Sequence, residues 1–379
     1  LFNLGSQMAC ADSSLRQQLP KGNTGIVSQL EADMDAHGIY WGVVLNAGIA
    51  RDAAMRGLSV LLLDSHDFAS GTSSRSTKLI HGGLRYLENY DFSLVKKALN
   101  ERQKLFQLAP HLVHPLAFVL PHPKNMRPLW MLRLGLMLYD HLSWANALPR
   151  SVLVTRKKQS AYFSSLSKLY NKGFLFYDGT ADDARLTIAN AMQAREHGAT
   201  ILPHTKLIEA HVINQQWQLT VQPKTGASIQ IKAKSVINTA GPWVETVNRV
   251  LQTPSTHPIT LVKGSHIIVP KLYEGEHAYM LQHEDKRIVF TIPYHGFTLI
   301  GTTDVPFSGN HDEICIDASE LHYLCALINQ YFNKQLDKND VIATWSGLRP
   351  LLYETNKTAS ALSRDYAYHY VNIPAPAVT

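Results

Sequence analysis

Residues 73–88 hold the densest set of groups able to do chemistry in this chain: Ser73, Ser74, Ser76, Thr77, Lys78, His81, Gly82, Gly83, Arg85 and Tyr86 fall within one short run. The run is too polar for a core strand and too glycine-rich for a plain helix. Hydroxyls, backbone N–H groups freed at Gly82-Gly83, and the Arg85 guanidinium together suit the oxygens of a phosphate or carboxylate. A solvated surface loop leading into a helix is the other reading of the same composition.

The elements upstream favour the ligand reading. Ala47 to Gly57 has alanine-rich helical spacing and stops at a glycine, and Leu58 to Leu63 is an apolar run of strand length ending at Asp64. That is the second half of a βαβ unit, in which the acid closing the second strand accepts hydrogen bonds from an adenosine ribose. Two residues far along the chain join the candidates. His266 follows Gly264-Ser265 and precedes the apolar Ile267-Ile268-Val269, where a lone histidine serves either as a hydrogen-bonded structural residue or as a proton acceptor. Arg349 stands in Gly347-Leu348-Arg349-Pro350, where the proline restricts the backbone.

Further motifs follow in order: Tyr90 to Pro121 with Asn100-Glu101-Arg102, then Arg127 to Arg133, Asp182-Asp183-Ala184-Arg185-Leu186, and Asn238-Thr239-Ala240-Gly241-Pro242-Trp243. Lys263-Gly264-Ser265-His266, Glu284-Asp285-Lys286-Arg287, Ile300 to Asp304 and Trp345 to Pro350 complete the series. Taken together, residues 47–370 resemble the FAD-dependent glycerol-3-phosphate dehydrogenase family of the aerobic, respiratory-chain type. The resemblance implies an α/β fold, a FAD-binding Rossmann-like domain with an inserted, mainly antiparallel β-sheet substrate domain of the D-amino-acid-oxidase kind. It implies oxidation of sn-glycerol 3-phosphate to dihydroxyacetone phosphate, with electrons passed to a quinone. The expected location is peripheral, at the cytoplasmic face of the inner membrane, with a homodimer as a candidate assembly.

By the same resemblance Arg85 and Arg349 grip the substrate phosphate with Tyr86 beside them, and His266 lies near the reacting hydroxyl as base or orienting donor. FAD is expected at Gly42, Gly48, Asp64, Thr72, Ser73, Ser74, Thr77, Lys78, Leu79, His81, Gly82, Gly83, Ala240, Gly241 and Trp243. The family's phosphate-cradling G-x-G-x-x-G stands just before Ala47-Gly48, where this chain has Trp41, Val43 and Asn46 at the glycine positions and keeps Gly42 and Gly48. A valine at the second of them occupies space the pyrophosphate needs. The family continues past the position of Thr379 into a glycine-lysine motif at the flavin and a helical domain, and by the resemblance this chain is expected to be truncated before both. Two other functions stay open: a flavin oxidoreductase acting on an amine or hydroxy acid, and a non-functional fragment of the family.

At 45% apolar and 17% charged residues the chain buries one large or two medium cores, and its net charge of +6 suits an anionic partner such as a phosphorylated substrate or acidic lipid. No basic run interleaved with aromatics marks a nucleic-acid module. Cys10, Cys315 and Cys325 are scattered, without zinc spacing or a disulfide framework, as in a reducing compartment. No window is apolar enough to span a bilayer.

Residues 1–38 read as an irregular segment, 39–150 as the first part of the FAD domain and 151–234 as the first part of the substrate domain, a meander of antiparallel strands. Residues 235–255 return to the FAD domain, 256–340 form the second substrate part and 341–379 the last FAD part. Tyr90 to Leu108 is expected to be a helix with Leu94, Ala98 and Leu105 inside and Lys96, Lys97, Arg102 and Lys104 outside. The proline-rich Pro110 to Pro128 is expected to be extended, looping chain. Leu129 to Leu142 is short and strongly apolar, suiting a helix in a membrane interface or a buried core helix.

Overall fold

The computed structural model describes residues 42–44, 47–123, 127–142, 148–253, 258–285, 287–311, 313–354, 362, 369–371 and 375–379. The expected irregular segment 1–38, Cys10, Trp41, Asn46 and Lys286 lie outside the described residues, and of Val43 only the strand backbone is described. In chain order the elements begin with β1 (Gly42–Val44), α1 (Ala47–Met55), β2 (Val60–Leu63), β3 (Leu79–Ile80), α2 (Phe92–Leu108), β4 (Val113–Pro121) and α3 (Leu129–His141). There follow β5 (Val152–Thr155), β6 (Lys172–Ala181), α4 (Asp183–Glu196), β7 (Thr200–Leu202), β8 (Thr205–Ile213), β9 (Gln216–Pro223), β10 (Ile229–Ala233), β11 (Ser235–Ile237) and α5 (Val244–Leu251). The rest are β12 (Ile259–Pro270), β13 (Ala278–Gln282), β14 (Ile288–Tyr294), β15 (Phe297–Gly301), β16 (Val305–Pro306), α6 (Ala318–Tyr331), β17 (Ala343–Leu352), β18 (Tyr370–Val371) and β19 (Ala377–Val378).

These elements fall into two units, one made of the described residues of Leu4–Ser74, Asp183–Ile259 and Tyr366–Thr379. Its sheet runs β18-β19-β11-β1-β2-β7 and is parallel except at β18. α1 forms because alanines at its inner face, Ala47, Ala50 and Ala54, let it lie close on the sheet, and Gly57 at φ +81° closes it. All four residues of β2 are buried, as in a parallel strand covered on both faces. Val60 and Leu62 pack with α1 and with Ala191 and Ala194 of α4, whereas Leu61 and Leu63 pack with Trp217, Leu219, Val221, Ile229 and Ile231.

That second contact corrects two expectations. The antiparallel sheet β10-β9-β8 belongs to the parallel-sheet unit, because Leu61 and Leu63 need an apolar cover and the inward residues of β9 and β10 supply it. β7, read as part of that meander, is instead a parallel strand beside β2, while β11 lies parallel to β1, where residues 235–255 were expected to return to the FAD domain. The divisions thus fall at Ser74/Arg75, Asp182/Asp183, Ile259/Thr260 and between 362 and 369, away from the positions expected at 150/151, 234/235, 255/256 and 340/341.

The other unit comprises the described residues of Arg75–Asp182 and Thr260–Asp365. Its mixed ten-stranded sheet runs β16-β12-β15-β14-β13-β4-β6-β3, with β17 beside β12 and β5 beside β6. Alternation along the strands makes two cores: Ile267, Val269, Tyr279 and Leu281 face one way with Leu324, Leu327 and Ile328 of α6, while Ile268, Met280 and Phe118 face the other with Leu136 of α3. α6 opens on Asp317, whose side chain accepts from the backbone of Ser319 and Glu320 while Glu320 reaches back, a reciprocal cap.

Two local expectations change here. Pro110 to Pro128 contains β4, a nine-residue strand paired with β6 and β13. The inner face of α2 is Val95, Leu99, Arg102 and Leu105, so Arg102 is buried. α3 buries only Leu136 and Tyr139, leaving Trp130, Met131, Leu134, Met137 and Leu138 exposed. Among the described residues no helix is long and apolar enough to cross a membrane.

Candidate active site

The site is best defined within the ten-stranded unit. β12 carries His266, which is fully buried, and Nε2 of its ring lies 2.9 Å from Thr77 Oγ1. Nδ1 is buried without a hydrogen-bond partner among the described residues. The ring stands 5.7 Å from that of Trp345, and Lys78 Nζ lies 5.1 Å from the Trp345 ring. Burial holds the imidazole well below the ordinary histidine pKa, and the positive charges of Arg349 and Lys78 push it the same way, so His266 is neutral near pH 7. A neutral imidazole next to two cations can take a proton from a hydroxyl that an anion brings in.

Arg349 lies on strand β17, next to Pro350. Its guanidinium donates to Thr303 O at 3.2 Å, Asp304 Oδ1 at 2.9 Å and Thr302 Oγ1 at 2.8 Å. It fills the space above Gly264, where an added Cβ would stand 2.4 Å from Nη1. Thr77, Lys78, His266 and Arg349 are thus brought together by β12, β17 and the turn before β3.

The Gly82-Gly83 expectation is corrected in one respect. The Gly82 N–H donates to Tyr139 Oη at 2.7 Å and lies 3.3 Å from Asp178 Oδ1, so it is not free for an anion. Gly82 is a glycine because a Cβ would meet Leu99 at 2.4 Å and Tyr139 at 2.6 Å. Asp178 is itself buried, bonded by Arg102 Nη1 and by Tyr139 Oη, each at 2.6 Å. Burial and the adjoining carboxylate hold the Tyr139 hydroxyl well above its ordinary pKa, keeping it a donor. Gly83 at φ +74° then opens a 3₁₀ turn over Leu84–Asn89. On that turn the Arg85 guanidinium packs 5.8 Å from the ring of Tyr86, and Glu88 accepts from Arg127. Leu79 is half-buried in β3, and burial lowers the pKa of His81 beside it. Asp178, Arg102 and Tyr139 were missed from sequence; the signal was an acid inside the apolar run of β6, which demands a buried partner.

The remaining expected residues lie in the parallel-sheet unit. Gly42 is in β1, Gly48 is in the first turn of α1, and Asp64 follows β2 with Oδ1 accepting from His66 N at 2.9 Å. Burial raises the Asp64 pKa. Thr72, Ser73 and Ser74 form a 3₁₀ turn, and Gly71 before it lies against Trp243. Ala240 and Gly241 follow β11, where Gly241 at φ +57° has open space at its Cβ position. Beside them the Thr239 hydroxyl is buried without a partner among the described residues. Asn238 shapes this turn by accepting from Ala240 N and donating to Val244 O.

Open space, an unpartnered hydroxyl and a helix N-terminus after the first of two parallel strands, with an acid closing the second, fit a dinucleotide at the carboxyl ends of a parallel sheet.

Comparison with known proteins agrees with this geometry. Residues 46–368 match the model of the FAD dependent oxidoreductase family. The chain is 47% identical over 330 residues to glycerol-3-phosphate dehydrogenase of Pseudomonas aeruginosa, an overlap of 86% of this chain and 64% of that one. It is 45% identical over 333 residues to D-erythritol 1-phosphate dehydrogenase of Brucella abortus, covering 87% of this chain and 66% of the relative. Among solved structures, the FAD complex of glycerol-3-phosphate dehydrogenase from Bacillus halodurans superposes with a TM-score of 0.71 at 26% identity, covering 93% of this chain and 62% of that one. The chain therefore spans a little under two thirds of the length of these relatives.

Proposed function

The chain belongs to the FAD-dependent oxidoreductase family, and from that premise we propose that it oxidises the secondary hydroxyl of sn-glycerol 3-phosphate, giving dihydroxyacetone phosphate. The observation that carries the reading is the neutral, buried His266 set beside Arg349 and Lys78. An anionic substrate answers the two cations, and the imidazole answers the hydroxyl next to the phosphate. FAD, when bound, supplies the acceptor for the hydride from C2.

The work of the protein is binding and proton transfer. Arg349, oriented by Asp304 and Thr302, would grip the phosphate with Lys78, and Arg85, with Tyr86 beside it, would serve as a further cation. His266 has Nε2 engaged by Thr77, so Nδ1 is the atom that would take the hydroxyl proton. In the parallel-sheet unit Gly48 at the helix N-terminus, Asp64, the Thr72–Ser74 turn and the Thr239–Gly241 turn would hold the dinucleotide. The exposed apolar side of α3, with the net charge of +6, supports a peripheral position on the cytoplasmic face of the inner membrane, from which electrons pass to a quinone.

A second reading, oxidation of erythritol 1-phosphate, is favoured by the 45% identity to the Brucella enzyme. Adding glycerol 3-phosphate or erythritol 1-phosphate to the flavin-loaded protein decides between them, since the true substrate bleaches the flavin band. Bleaching by sarcosine or a D-amino acid, and by neither phosphate, would end both readings. Replacing Arg349 by Ala is expected to lower kcat/KM about 10- to 100-fold, the loss of charge-assisted hydrogen bonds to phosphate.

A further inference from the structure

Behind the site lies a buried carboxylate that the substrate and cofactor roles above do not use. Glu320, in the first turn of α6, is only 2% exposed. Its Oε1 accepts from Thr303 Oγ1 at 2.6 Å and from Ser265 Oγ at 2.9 Å. Its Oε2 accepts from Asp317 N at 3.1 Å and lies 2.9 Å from Lys263 Nζ. Lys263 is also buried, so the pair's charges compensate one another, and the ammonium donates as well to Asp317 and to Cys315 O.

The partners of Oε1 are not arbitrary. Ser265 precedes His266 in β12. Thr303 sits in the Thr302–Asp304 segment, and its carbonyl and both neighbours bond Arg349. Because the single proton of Ser265 Oγ goes to the carboxylate, the 2.8 Å contact between Ser265 Oγ and Ser346 Oγ has Ser346 as donor. Ser346 lies in β17, the strand of Arg349. Likewise Thr303 Oγ1 gives its proton to Glu320 and accepts the Ser265 N–H at 2.9 Å. One carboxylate thereby fixes the proton direction of the hydroxyl bonds that join Ser265 of β12, Thr303 and Ser346 of β17.

We infer that Glu320 is a positioning residue, holding His266 and Arg349 in a common register through Ser265, Thr303 and Ser346. This rests on the reading of His266 and Arg349 as the substrate-handling groups. All four acceptor positions of the carboxylate are filled by donors. An amide cannot replace it, since an amide nitrogen on either side would face two further donors. The site therefore depends on the charge and on the acceptor count, not on side-chain volume.

The test compares Glu320→Gln, Glu320→Asp and Ser346→Ala with the unaltered full chain. Flavin content, thermal midpoint, kcat and KM for glycerol 3-phosphate, and calorimetric affinity for inorganic phosphate are measured on each. Glu320→Gln is expected to raise KM and weaken phosphate binding about tenfold or more while keeping its flavin, as loss of one hydrogen bond to a charged group predicts. Glu320→Asp recovers part of the loss because the charge is kept, and Ser346→Ala shows a smaller loss in the same direction. Unchanged KM and phosphate affinity in Glu320→Gln would overturn the inference, as would a fall in thermal midpoint and flavin content that accounts for all of the lost activity. An unaltered protein that reduces no flavin with glycerol 3-phosphate but still binds phosphate overturns the substrate reading and leaves the phosphate affinities to decide on Glu320. If it neither reacts nor binds phosphate, both fail.

Discussion

Gly264 is the smallest residue of the site and the one where enlargement has the clearest outcome. A Cβ there would stand 2.4 Å from both terminal nitrogens of Arg349, and these are the far end of a flexible side chain. Gly264→Ala should therefore displace the guanidinium and leave the strand intact, raising KM about tenfold or more with an unchanged thermal midpoint. A variant with wild-type KM would mean that Arg349 does not hold the substrate. Histidines give the second residue-scale prediction. Burial among Tyr162, Tyr273 and Tyr279 pushes His277 down to about 4. The unfolded chain binds the proton that the folded chain refuses, so the contribution to stability is complete above about pH 6.5 and is lost as pH falls from there toward 4. The loss is about 3 kcal/mol by pH 4. His277→Phe should flatten the fall in urea midpoint between pH 7 and pH 4, and an unchanged slope would show that the ring is charged when folded. At this scale the sequence singled out His266 and Arg349, which the fold brings together, because each stands in a short motif. It hid Glu320 and Asp178, whose roles arise only when distant strands meet them.

Among the elements, α2 shows why periodicity alone was not enough. Its sequence has apolar residues at 94 and 95 and again at 98 and 99, so two helical phases fit equally. The phase is chosen by Arg102 meeting Asp178 on β6, a partner 76 positions away. The same pair, with Tyr139 of α3, ties two helices and a strand to the Gly82 turn that precedes Arg85. Asp178→Asn would remove the carboxylate of the buried Arg102–Asp178 pair, a cost of about 3–5 kcal/mol in urea unfolding. Tyr139→Phe, which removes the hydroxyl's two hydrogen bonds but no charge, should cost less, about 2 kcal/mol. Removing both charges with Arg102→Met and Asp178→Leu should recover much of the single-variant loss, and a double variant as unstable as Asp178→Asn would refute the charge argument. By contrast α1 and β2 were legible from sequence, since the alanine stripe, the closing glycine and the apolar run are all local signals. β4 was not, because Pro115 and Pro121 argue for a loop while nonlocal pairing with β6 overrides them.

For the whole molecule, the two-unit division follows from which apolar faces need cover and is written only faintly along the chain. The antiparallel strands β8 to β10 read from sequence like any half-buried meander; their unit is set by Leu61 and Leu63, which lie far upstream. One apolar face stays open: along α3, Trp130 is 69% exposed and Met137 50%, with Met131, Leu134 and Leu138 on the same side. These residues recur at helical spacing, and Arg133 stands exposed between them. Combined with a net charge of +6, the face suits the headgroup boundary of an acidic bilayer, where apolar insertion and electrostatic attraction add. The two contributions respond differently to salt, because screening weakens only the charge term. Binding to phosphatidylglycerol vesicles should therefore fall with added salt but retain a residual part. Trp130→Ser with Met137→Ser should remove that residual part, lowering partition about tenfold or more. Solution turnover of glycerol 3-phosphate with a soluble electron acceptor should be unaffected, since neither residue touches the His266 and Arg349 site. Vesicle binding by the double variant at the wild-type level in high salt would place the membrane contact elsewhere on the molecule.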